Sequence, residues 1–129
     1  MGLQGPQGPG AAGYINRPTT SVTVTGTTVT TVATLNLPAG NYLVMGKVNL
    51  TRTGGTGTSV CTLNNGATVL DQLGNQGSTS GELTVLQTSV ALTGAATITM
   101  RCNNSSTTTT MTAAFRVLTA YSLSSLTVQ

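Results

Sequence analysis

Histidine and tryptophan are absent from this 129-residue chain, and only 5% of it is charged. Each shortage closes off a class of function. Catalysis near neutral pH ordinarily needs a side chain that titrates there. Without histidine, the only acids are Asp71 and Glu82. Both stand in ordinary strand and loop sequence, so they read as solvated surface acids. Serines and threonines abound, yet none has a visible base to activate it. An enzyme is not expected. A zinc site needs four ligands, and two cysteines without histidine do not supply them, so no metal or other cofactor is expected. The cations Arg17, Lys47, Arg52, Arg101 and Arg116 are scattered and give a net charge of only +3. With one phenylalanine and three tyrosines, the chain has neither the basic stripe nor the stacking platform of a nucleic-acid binder. No apolar run approaches the length of a membrane span, so membrane insertion is not expected.

Hydrophobic residues make up 38% of the chain, and they alternate with polar ones. Disorder requires low hydrophobicity together with high net charge, so this chain folds. Its surface must be covered by neutral polar residues, above all threonine, which favours strands. An uncharged, threonine-rich surface suits an exported structural protein. The expected location is extracellular, on a cell, spore or virion surface.

The N-terminus differs from the rest. Gly2-Leu3-Gln4, Gly5-Pro6-Gln7 and Gly8-Pro9-Gly10 are successive Gly-X-Y triplets. Three chains pack around a common axis only where every third residue is glycine, here Gly2, Gly5 and Gly8. The phase breaks at Ala11. Three triplets alone cannot hold three chains together, so they read as the last turns of a longer stalk, with Met1 the start of an expressed fragment. The expected organisation is a collagen-like stub over residues 1–13, a linker over 14–20 in which Tyr14 and Ile15 pack at the base, and a head over 21–129.

The head reads as short strands separated by turns. Val22 and Val24 alternate with threonine. Val29, Thr31, Ala33, Leu35 and Leu37 share a period of two. Tyr42, Val44, Gly46, Val48 and Leu50 line one face, with Leu43, Met45, Lys47 and Asn49 on the other. Cys61 and Leu63 follow, then a hairpin-type turn at Asn64-Asn65-Gly66. A weaker strand covers 67–73 and a long one 82–92. Ala96, Ile98, Met100 and Cys102 alternate with Thr97, Thr99 and Arg101. Met111, Ala113, Phe115 and Val117 open a penultimate strand, and Tyr121 to Val128 closes the chain. About nine strands at this spacing, with no sustained helical period, predict an all-β antiparallel sandwich. Polar loops are expected at Thr51–Thr58, Gly74–Gly81 and Asn103–Thr110.

The order of parts, a collagen-like stalk followed by a compact all-β head, resembles the tumour necrosis factor/C1q-like family. Leu37-Pro38-Ala39-Gly40-Asn41-Tyr42 resembles the segment that opens a central strand there, and Ala114-Phe115-Arg116-Val117-Leu118 its closing strand. Cys61-Thr62-Leu63 and Met100-Arg101-Cys102 resemble a bacterial branch of such heads. The aromatic positions of the animal C1q signature are largely missing. The resemblance implies a jelly-roll sandwich that forms a homotrimer. Leu43 and Met45 on one side of their strand and Tyr42 and Val44 on the other are the candidate trimer contacts, because a strand apolar on both sides has a second surface to bury.

Cys61 and Cys102 both sit on apolar strand faces. In an exported protein such a pair reads as a disulfide; two free buried thiols are the alternative. Two functions fit these features. In the first, the head trimerises, sets the register of three chains and nucleates a collagen-like stalk in a surface filament or fibre. In the second, it is an adhesin tip whose polar loops bind a cell-surface receptor or glycan.

Overall fold

A strand sends successive side chains to opposite faces, so alternating sequence makes a ribbon with one dry side. The computed structural model describes residues 12–75 and 81–129. Nine such ribbons form among these residues: β1 (Gly13–Asn16), β2 (Val22–Thr25), β3 (Thr30–Leu37), β4 (Gly40–Gly54), β5 (Ser59–Asn65), β6 (Thr68–Asn75), β7 (Glu82–Leu92), β8 (Ala96–Asn104) and β9 (Thr110–Leu123). No helix occurs among the described residues. Gly2, Gly5 and Gly8 of the expected stub lie outside them.

The strands form two antiparallel sheets. In the first, β7, β4 and β9 are neighbours, and β1 and β2 lie in succession along the free edge of β9. The second has the order β3, β8, β5, β6. From β2 onward the chain crosses repeatedly between the layers, and the result is a jelly-roll sandwich. The inner faces meet in one core, where Val44, Val48, Leu50, Leu86, Met111 and Leu118 of the first sheet face Val32, Leu37, Leu63, Ile98 and Met100 of the second. Each such fully buried aliphatic side chain contributes about 1.5–3 kcal/mol. Gly46 lets the layers close. A Cβ there would stand 2.7 Å from Met100 Sδ and 3.1 Å from Leu63 Cδ2.

Strand edges are a liability unless covered, and here polar side chains close both open sides. Between β9 and β3, the Arg116 guanidinium donates from Nε and Nη2 to Thr20 O at 3.0 and 2.6 Å, and from Nη1 to Val32 O at 2.7 Å. Asn16 Nδ2 donates to Thr34 O at 2.7 Å on the same side. Opposite, Asp71 of β6 accepts from the Gln87 amide of β7 at 2.9 Å. Each seal satisfies backbone groups that neither sheet pairs by itself.

Cys61 and Cys102 stand directly opposite each other in β5 and β8 and are bonded, with Cα atoms 4.1 Å apart. Both are buried, so the bond lies inside the second sheet, facing the core.

Three expectations change. Residues 13–16, placed at the stub–linker boundary, form β1 and pair with Leu118–Tyr121, while Ile15 is exposed instead of packed. The even alternation from Val29 fails at a bulge between Thr31 and Ala33, which buries Val32 and leaves Val29 outside. The two closing strands are one, β9, and residues 124–129 carry no strand. Its alternation also breaks: Met111 and Ala113 point inward, then Leu118 and Ala120 do, one residue out of phase.

Candidate interaction surface

The break in β9 shapes the surface that concerns function. Val117 pairs with Lys47 and Ala114 with Asn49, so Phe115 and Arg116 together oppose the single residue Val48. This is a β-bulge, a device that re-aims side chains. It turns Arg116 inward and Phe115 outward. Phe115 takes a φ of 51° and is 78% exposed. Arg116 is buried, and desolvation lowers its pKa from the ordinary arginine value. Carbonyl oxygens, not a carboxylate, hold its charge.

Around Phe115 the outer face of the first sheet mixes large apolar side chains with Lys47, Gln87, Ser89 and Thr119. Along β4, Leu43 stands between Ser89 and Tyr121, Met45 between Gln87 and Thr119, and Lys47 between Val85 and Val117. Of the ten exposed large apolar side chains among the described residues, six lie on this face: Ile15, Met45, Leu83, Val85, Phe115 and Tyr121. A groove of about 740 Å³ crosses it, with Val117 and Thr119 on β9, Arg17, Pro18 and Thr19 on one wall and Lys47 on the other. No acidic residue lines the groove.

The candidate contacts therefore divide. Leu43 and Met45 belong to this outer face. Tyr42 and Val44 do not, because they point into the chain's own core at 2% and 0% exposure. The strand's period of two put the pairs on opposite sides correctly. Only the position of the second sheet decides which side is inner. Tyr42 is further held by its hydroxyl, which donates to Pro38 O at 2.8 Å, and by an edge-on contact with the Tyr14 ring.

Two of the polar loops, Thr51–Thr58 and Asn103–Thr110, meet at the end of the sandwich away from Ala12, which is tied to Ser122 at the other end. The Ser105 amide donates to Thr58 O at 2.8 Å, and the Thr58 amide to Ser105 Oγ at 2.9 Å. Thr109 Oγ1 donates to Thr56 O. Asn104, fully buried, donates from Nδ2 to Val24 O at 3.2 Å and to Thr109 O at 3.0 Å. These hydroxyls and amides hold the loops to one another. No group of three or more metal-ligating side chains gathers among the described residues.

Sequence reasoning did not single out Phe115, Arg116 or Asn104. A signal existed for the first two: the apolar phase of β9 is odd at Met111 and Ala113 and even at Leu118 and Ala120, so a bulge had to fall between them. Asn104 left no such trace, because its role depends on carbonyls distant in sequence.

The architecture is thus that of an all-β jelly-roll protein whose first sheet carries an uncovered apolar face. No protein-family profile matches the chain, and no curated protein matches it in sequence. Solved structures do share the fold. One, from a study of Bacillus endospore appendages described as a family of disulfide-linked pili, is 13% identical with a TM-score of 0.54, covering 96% of this chain and 100% of its own. Another, from infectious bursal disease virus Gx strain, is 12% identical with a TM-score of 0.54, covering 95% of this chain and 40% of its own. In the present protein both cysteines are joined within one chain, and none is free.

Proposed function

We propose that this protein is a non-catalytic structural head, displayed outside the cell or on a spore or virion surface, that trimerises and registers three chains of a collagen-like stalk. The observation that carries the reading is the apolar outer face of the first sheet. Exposed apolar patches of this kind mark interaction sites. The face adjoins β1, the strand into which the Gly-X-Y triplets lead. A triple helix requires three chains, so the number of copies comes from the triplets and the surface from the sheet. Side-chain seals on both sides of the sandwich work against assembly by strand addition, which leaves contact between faces. The jelly-roll sandwich, with β1/β2–β9–β4–β7 over β3–β8–β5–β6, is the fold that the tumour necrosis factor/C1q-like resemblance implies. Structural neighbours in an endospore appendage and a virus agree with a surface protein.

A pre-formed trimer raises the effective concentration of the three stalk starts, which offsets the slow, costly nucleation of a triple helix. The adhesin alternative has less support, because the polar loops carry no aromatic residue and two of them, Thr51–Thr58 and Asn103–Thr110, engage each other. Sedimentation equilibrium of the chain tests the proposal. The expected mass is three times 13.0 kDa, and a single-chain mass at every concentration overturns it.

A further inference from the structure

We infer that Phe115 is the anchor of the subunit contact and that its ring enters the groove of the neighbouring copy between Arg17 and Lys47. The inference rests on the trimeric reading above and adds the residue and the acceptor site.

A bulky residue with φ near 51° is an outlier that costs on the order of 1–3 kcal/mol and persists only where the surroundings enforce it. Arg116 enforces it here. Its hydrogen bonds to Thr20 O and Val32 O hold that side chain inward, and Phe115 beside it at the bulge stands outward. The ring gains little from its own chain, being 78% exposed. Glycine at this position would relax the backbone and remove an exposed aromatic surface. A strained, displayed ring is explained by something outside the chain that it fits.

The groove indicates why that something is a second copy presenting a ring. Its walls hold two cations, Arg17 and Lys47, and no acid. A chain of net charge +3 with two acids in all is poorly equipped to neutralise them. The face of an aromatic ring suits them, because its quadrupole attracts cations. Apolar lining from Ile15 and Val117 covers the rest of the ring. Phe115 also lines the groove of its own chain, so knob and acceptor share one patch, and three copies of that patch meet around a threefold axis.

Phe115 is the only phenylalanine in the chain, so 4-fluorophenylalanine reports on this site alone. In the full chain the ¹⁹F signal is expected to lose its sensitivity to a soluble paramagnetic agent when the protein is concentrated enough to trimerise. A trimer whose fluorine stays as accessible as in dilute solution overturns the anchor and leaves the trimeric reading intact. A chain that never associates overturns both. In parallel, Phe115→Gly is expected to raise the midpoint concentration for trimer dissociation at least ~30-fold, the effect of losing a binding hot spot, while the dilute monomer melts at a higher temperature. Unchanged assembly overturns the inference. So does a lower melting temperature of the dilute monomer, since the ring would then be packing within its own chain.

Discussion

The two outer faces of the sandwich follow the same alternation yet are filled with different chemistry. On the second sheet, β8 presents Thr97, Thr99, Arg101 and Asn103. They lie beside Asn36, Thr34 and Thr31 of β3 and beside Asn64, Thr62 and Val60 of β5. Polar pairs run across that face, such as Thr97 Oγ1 donating to Asn36 Oδ1 at 2.9 Å. On the first sheet the equivalent positions hold Leu43, Met45, Leu83, Val85, Val117 and Tyr121, interspersed with Lys47, Asn49, Gln87, Ser89 and Thr119. An antiparallel sheet with one face in the core is expected to wet the other. The second sheet does so, largely with polar side chains, although Thr99 and Asn64 among them are buried. The first keeps large apolar side chains among its polar ones, Met45, Leu83, Val85, Phe115 and Tyr121 being exposed, and this is what sets the two exteriors apart. The internal arrangements differ in parallel: the second sheet holds the disulfide, and the first sheet holds the bulge that aims Phe115.

The largest effect should come from the second sheet. Replacing Cys61 and Cys102 together by alanine removes a cross-link between residues 41 positions apart. The chain-entropy account gives a loss of about 4 kcal/mol. Equilibrium denaturation should show this loss, while the mass at low temperature stays that of the wild type. Loss of assembly with unchanged stability would reverse the roles assigned to the two sheets.

A smaller effect, on assembly rather than folding, is expected when one negative charge is placed on each face in turn. Met45→Asp puts it in the apolar face and should weaken association at least ~30-fold, as for a central interface position. Asn36→Asp puts it on the second sheet, keeps the acceptor for Thr97, and should leave mass unchanged and stability within about 0.5 kcal/mol. Light scattering of the pair checks this, and equal effects would remove the distinction between the faces.

The smallest effect concerns the inner side of β4. Burial, with the neighbouring Tyr14, raises the pKa of the Tyr42 phenol above its ordinary 10.0. The folded state therefore favours the neutral phenol. That contribution is fully present below pH 10.0 and is lost as pH rises through the raised value. Tyr42→Phe should cost about 1 kcal/mol at neutral pH, through the lost bond to Pro38 O, and should flatten the alkaline decline in denaturation midpoint. Because Tyr42 faces the core, its loss should not change the mass in solution. A dissociated Tyr42→Phe protein would return Tyr42 to the list of subunit contacts.

Much of this was legible before folding was considered. Glu82–Leu92 reads as one strand and forms one. Ile98, Met100 and Cys102 read as a buried row and are one. The hairpin turn after Asn64-Asn65 forms with Gly66 at a φ of 59°. Misreadings cluster where the register slips. Val29, Phe115 and the supposed last strand all fail beside a bulge or past the end of a ladder. There the partner strand, not the local pattern, decides which way a side chain points.

By itself, the sequence determined what is local or compositional. A period of two makes strands, and phased glycines permit three chains around one axis. Histidine is absent, and Asp71 and Glu82 are the only acids. Tertiary structure alone decided what depends on a second surface. The second sheet covers Tyr42 and Val44 and leaves Leu43 and Met45 outside, although both pairs are apolar and equally spaced. β9 accepts Gly13–Asn16 as a strand because its edge there is open to pairing. Arg116, in sequence one more exposed cation, lies inside because the carbonyls of Thr20 and Val32 converge where its guanidinium reaches. Phe115, in sequence aligned with Met111 and Ala113, lies outside because the bulge breaks that alignment.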